Sequence, residues 1–176
     1  MKTTTLEEFY IDELKDIYSA ESQLIKALPK IAKALVTPQL IDAVEAHLEE
    51  TKIHATRLEE VLKMLGEDTK GPACEAMKGI LGEGSSLIED IEKGSVRDAA
   101  LIAGCQKVEH YEIASYGTVV RFAALLGHKD QVEILRQTLD EESSADEKLS
   151  EIAETVVNKD ALNSGSDSRQ DKAGKA

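Results

Sequence analysis

Four stretches of the chain carry apolar residues at alternating spacings of three and four, the pattern of a helix that buries one stripe. In the first, Tyr10, Leu14, Ile17, Glu21, Leu24, Leu28, Ile31 and Leu35 share a face. The second runs Leu40, Val44, His47, Thr51, His54, Leu58, Val61 and Leu65. The third gives Leu101, Cys105, Val108, Glu112, Ser115, Val119, Phe122 and Leu126, and the fourth Val132, Leu135, Leu139, Glu142, Asp146, Leu149, Ala153 and Val156. Each keeps register over eight positions, which predicts four long helices packed as an all-α bundle.

Local signals bound these helices. Thr5 followed by Glu8 reads as an N-cap with its capping-box partner, opening a helix that runs to about Val36 and is expected to kink at Pro29. Thr37 and Pro38 open the second helix, which stops at Gly66; the short link between the two forces an antiparallel hairpin. Residues 72–92, interrupted by Gly79, Gly82 and Gly84, read as a crossover carrying one or two short helices. Ser95 as N-cap, with Asp98 as capping-box partner, opens the third helix, which ends at Gly127. The fourth follows and ends near Val157, so residues 1–160 form one bundle domain and 161–176 a polar tail expected to be disordered.

The seams fail to be apolar at one level. Glu21 interrupts the first, His47, Thr51 and His54 the second, Glu112 the third, and Glu142 with Asp146 the fourth, each near the middle of its helix. Glu50 flanks the second interruption at helical offsets of three and four, and Glu109 lies one turn before Glu112. Packed at about 20°, the four helices bring these groups into one layer. Several carboxylates in an apolar interior repel one another and lose hydration, and no Lys or Arg stands in the seams at this layer to neutralise them. Shared protons or bound cations are the remaining solutions. Carboxylates with an imidazole suit two iron ions, or manganese, better than zinc. The candidate ligands are therefore Glu21, Glu50, His54, Glu109, Glu112, Glu142 and Asp146, with His47 competing with His54 for the imidazole role. His110 points away from the seam. Tyr18, Tyr111 and Tyr116 are placed either to hydrogen-bond ligand carboxylates or simply to pack.

Composition narrows the partners. Of 176 residues, 21 are basic and 34 acidic, a formal charge of −13 that repels nucleic acid and anionic membrane surfaces. No stretch reaches the ~20 apolar residues a membrane span needs. Two cysteines without metal-ligand spacing, and an N-terminus without a basic-then-apolar leader, fit a reducing cytoplasmic home. Small helical bundles often pair, so a homodimer is expected, though on no particular residue.

The stretches YSAESQLIKALPKIAKA, HLEETKIHATRLEEV, RDAALIAGCQKVEHYEIASYGT and LDEESSADEKLSEIA together resemble the YciF/YciE-like family of the ferritin-like superfamily, over roughly residues 5–158. The resemblance implies a ferritin-like four-helix bundle with a long crossover, a dinuclear iron or manganese centre, and an association with stress responses. In the wider superfamily two helices each supply Glu-x-x-His; here positions 53 and 145 are Ile and Ala, so the site should be richer in carboxylate. Two functions follow as expectations. In one, two metal ions bridged by Glu50 and Glu142, with Glu21 and Glu112 as terminal ligands, react with dioxygen or peroxide, as a di-iron oxidase or a dimanganese catalase would. In the other, metal only ties the helices of a non-enzymatic scaffold protein together.

Overall fold

In the computed structural model residues 3–164 are described, and among them five helices and no strand are found. Helices α1 (Leu6–Ala34) and α2 (Pro38–Met64) form one hairpin, and α4 (Ser95–Leu126) and α5 (Lys129–Ile152) the other. Helix α3 (Glu75–Asp90) carries the crossover as one continuous helix through its three glycines. A five-residue π-turn, Ala153–Val157, follows α5, and helical conformation continues to residue 164, past the expected end of the bundle. The tail expected from 161 therefore starts helical, and its residues 165–176 lie outside the described residues.

Helix ends follow the local chemistry, α4 apart, although Thr37 at the start of α2 makes no side-chain capping hydrogen bond. Thr5 Oγ1 accepts from Glu8 N at 3.1 Å while Glu8 Oε2 accepts from Thr5 N at 3.0 Å, a complete capping box. Gly66 and Gly127 end α2 and α4 at φ 74° and 84°, where a Cβ would strain the backbone. The exception is α4. Gly94, not Ser95, precedes it, and Asp98 does not close a capping box. Its buried carboxylate instead accepts Val36 N at 3.1 Å and Thr37 N at 2.7 Å, while Arg97 Nη2 donates to Ala34 O at 2.9 Å. Backbone groups of the α1–α2 turn, which water would otherwise satisfy, are thus paired by two adjacent side chains of α4.

Contacts of this kind fix the topology. Arg97 and Asp98, at the start of α4, touch the end of α1, and Phe122, near the end of α4, packs on Phe9 with ring centroids 5.9 Å apart. Helix α4 therefore runs antiparallel to α1, and α3 returns the chain along the bundle between them. Four pairs, α1–α2, α2–α5, α5–α4 and α4–α1, close the bundle, while α3 covers the α1–α4 side.

The apolar interior is split in two. One cluster holds Leu24, Leu28, Leu40, Val44, Val108 and Leu149; the other holds Leu14, Ile17, Leu58, Tyr116, Val119 and Leu135. Along every long helix the boundary between them falls at the polar interruption. Cys74 and Cys105 are free and buried. Cys105 is a plain core residue whose thiol burial pushes up to about 12. Cys74 does more: its sulfur accepts Met77 N at 3.4 Å to cap α3 and lies 3.0 Å from Tyr111 Oη.

Candidate metal centre

Six side chains fill the layer between the two clusters. Glu21 comes from α1, His47 and His54 from α2, Glu109 and Glu112 from α4, and Glu142 from α5, all buried. Their donor atoms form two groups, each within 4.8 Å: His47, Glu109, Glu112 and Glu142, and Glu21, His54 and Glu142. Glu142 belongs to both. His47 Nε2 stands 3.5 Å from Glu109 Oε1 and 3.7 Å from Glu142 Oε2, and His54 Nδ1 lies 2.9 Å from Glu142 Oε1 and 3.6 Å from Glu21 Oε1. None of these approaches makes a hydrogen bond: those to Glu21 Oε1 and Glu142 Oε2 are too long, and His47 Nε2, His54 Nδ1 and Glu142 Oε1 are left without a partner.

Nine of the eleven buried side-chain atoms without a hydrogen-bond partner among the described residues sit in this layer, among them both oxygens of Glu112 and of Glu142. Native interiors leave few such groups. Burial, then repulsion from neighbouring carboxylates, holds Glu112 well above the usual carboxylate range, and burial is likewise the main cause for Glu109. Glu21 is pushed up to about 8 by burial and Glu142, against the opposing effect of His54 and a hydrogen bond. Burial lowers His47, but Glu50, Glu109 and Glu142 outweigh it and bring it to about 9; His54 is raised in the same way, chiefly by Glu142. Without cations, the layer holds together only by keeping protons. The donor set fits the alternative: two divalent ions would balance four carboxylates, with both imidazoles entering neutral.

Outside the layer, partners hold its side chains in place. Tyr116 Oη donates to Glu21 Oε1 at 2.5 Å, leaving Oε2 free. His54 Nε2 lies in hydrogen-bonding position 2.9 Å from Glu141 Oε2, and the Arg57 guanidinium forks onto both oxygens of Glu141. That chain fixes the His54 ring with Nε2 protonated and Nδ1 turned inward. Thr51, the remaining seam interruption, spends its hydroxyl on His47 O at 2.8 Å.

The structure does not bring every expected ligand together. Glu50 stands outside both groups, its side chain 48% exposed and 3.4 Å from His47 Nδ1. Asp146 is also outside; it accepts from Gln106 and faces the exposed His110 at 3.5 Å. His47 and His54 each offer a ring nitrogen to the cluster, one in each group. Of the tyrosines only Tyr116 touches a cluster carboxylate; Tyr18 donates to Glu59 and Tyr111 to Asp16. Glu141 and Arg57 were not foreseen. Their signal was present, since Arg57 follows His54 by three residues on α2 and Glu141 adjoins Glu142, but neither lies on a seam.

A cavity of about 600 Å³ opens between α2 and α5, and His47, Glu50, Glu109 and Glu141 line it. Two residues of the layer, His47 and Glu109, thus face a route from solvent.

Residues 5–162 match the family described as Domain of unknown function (DUF892). Over 164 residues the chain is 46% identical to Protein YciF of Escherichia coli (strain K12), covering 93% of this chain and 99% of the relative. The crystal structure of the E. coli stress protein YciF superposes with a TM-score of 0.86 at 46% identity, over 89% of this chain and 99% of that one. YcfI from Rhodopseudomonas palustris, described as a candidate structural protein, gives a TM-score of 0.81 at 41% identity, over 84% and 94%. No helix among the described residues is long and apolar enough to cross a membrane.

Proposed function

The chain belongs to the DUF892 family, and we propose that its polar layer is a carboxylate-rich centre for two iron or manganese ions that reacts with dioxygen or peroxide in a cytoplasmic stress response. The observation that carries this reading is the pair of buried donor groups sharing Glu142. One group offers three carboxylates and an imidazole, the other two carboxylates and an imidazole. Such oxygen-rich sets suit iron and manganese. When bound, the ions would supply the electrons exchanged with the oxidant.

The protein's own residues set the conditions for that chemistry. Glu142 spans both positions. Tyr116 holds Glu21 by one oxygen, and the Arg57–Glu141 chain keeps His54 Nδ1 facing the centre. The two apolar clusters exclude water from above and below, so a small oxidant enters past His47 and Glu109.

The test is to load metal-stripped protein with Fe(II) anaerobically, add hydrogen peroxide, and follow ferric absorbance together with peroxide loss. Stoichiometric oxidation of two irons per chain, with peroxide consumed, supports the reading. A second reading, favoured by the description of YcfI, makes the ions structural ties between helices. Tightly held iron that peroxide leaves unoxidised would select it.

A further inference from the structure

A second cavity, of about 590 Å³, lies between α1, α3 and α4. Its size falls in the range of small-molecule pockets, about 300–1,000 Å³. Aliphatic side chains make its walls, among them Ala27, Ile31, Ile80, Leu81, Ile88 and Val108. Gly82 and Gly84 line it from the interior of α3, and a Cβ on either would stand in open space. Glycine weakens a helix interior, and no neighbour requires it here; the missing side chains leave room in the cavity.

The rim is basic on one side. Lys26 and Lys30, one turn apart on α1, have no ion-pair partner among the described residues, although the chain carries a formal charge of −13. Lys78 joins them from α3, paired only with the exposed Glu75. Of the two acids that line the cavity, Glu89 lies at the other end of the rim and Glu109 is buried in the wall. The start of α3 is tied to Ser19 and Gln23 through Cys74, and its far end to the end of α1 through Arg97, which reaches Ile88 O and Ala34 O. From Gln23 to Ile31 the cavity spans about 12 Å of α1, at 1.5 Å per residue. An extended chain advances roughly 1.2 Å per bond, as the backbone itself does, so the space takes about ten carbons.

We propose that this cavity binds a free medium-chain carboxylate, its aliphatic chain between α1, α3 and α4 and its head group at Lys26, Lys30 and Lys78. The proposal stands without the metal-binding reading, although Glu109 borders both sites. Leu28, Cys105 and Glu109 form a wall shared with the first cavity, and the bound chain runs past it toward Ile31 and Ile88.

Isothermal titration of the full-length protein in excess chelator, so that no ion contributes, tests this with hexanoate, octanoate, decanoate and tetradecanoate. Affinity should tighten about fourfold per methylene and level off beyond about ten carbons. Absence of binding, a flat series, or tightening that continues to tetradecanoate would overturn the proposal. Lys26→Glu combined with Lys30→Glu, both exposed, should weaken decanoate at least tenfold, and decanol should bind the wild type at least tenfold more weakly than decanoate. Gly84→Leu should fill the cavity and weaken decanoate to a similar degree. Unchanged affinity in either variant, or decanol equal to decanoate, refutes the assignment of head or tail.

Discussion

If the polar layer exists for cations, removing one of its ligands should make the metal-free protein more stable and the metal-loaded protein less so. Glu112 is the sharpest place to ask. Its carboxyl is fully buried and neither oxygen has a partner, so in the metal-free state it contributes only cost. Replacing such a group by an apolar one returns about 1–3 kcal/mol, and the roughly 2 kcal/mol from burying a leucine is offset by a similar loss to imperfect fit. Glu112→Leu should therefore gain about 1–3 kcal/mol in chelator, a rise of roughly 3–9 °C in Tm for a chain of this size. Glu112→Gln, which keeps two polar atoms in the same place, should gain less. With Mn(II) at a hundredfold excess over Kd, wild type gains about 2.7 kcal/mol per site and the variant loses much of that gain. Thermal melts with and without metal should thus rank the two proteins in opposite orders. A Glu112→Leu protein that melts lower in chelator, or shows the full metal-induced shift, would refute the account.

Three further outcomes follow from the geometry. Glu141→Gln should weaken Mn(II) or Co(II) binding about 10- to 100-fold by freeing the His54 ring, with little change in metal-free Tm because Glu141 is partly exposed; titration of metal into stripped protein checks it. Asp98→Ala should cost about 2–4 kcal/mol and lower Tm by roughly 5–10 °C even in chelator, since the Val36 and Thr37 amides lose their acceptor. In chelator, stability should fall as pH rises. Glu21 has its folded pKa raised from 4.5 to about 8 and His47 from 6.5 to about 9, so the stabilisation tied to their protons is complete below the unfolded values and lost as pH climbs through the folded ones; melts from pH 5 to 9 read this directly.

The bundle was legible because its signals are local and periodic. Eight positions in register fix a buried stripe, and Thr5 with Glu8, Pro38 and Gly127 fix helix ends through chemistry spanning four residues. Asp98 shows where that legibility stops. Its spacing from Ser95 satisfies the capping-box pattern, yet its carboxylate serves amides 61 and 62 residues away. A side chain that can satisfy either a near or a distant backbone group gives the same local pattern in both cases, and only the packing of α4 on the α1–α2 turn decides.

The site divides along the same line, and the two flanking acids show why. At 100° per residue, Glu50 and Glu109 each stand about 60° off the seam residue that neighbours them, His47 and Glu112. They lie on opposite sides of their seams at equal angular distance, so the seam pattern ranks them alike. Helix α2 packs chiefly against α1 and α5, so a side chain at that angle leaves the interior and Glu50 reaches the mouth of the cavity. Helix α4 packs against α1, α3 and α5, and the same angle keeps Glu109 inside. The crossover helix is therefore part of how the donor set is chosen: by closing one side of α4 it turns a flanking acid into a buried one. Where α2 lacks such a cover, Glu50 stays near water and its carboxylate, lowered chiefly by His47, remains ionised. The layer opens to solvent along the first cavity, at whose mouth Glu50 holds an ionised carboxylate.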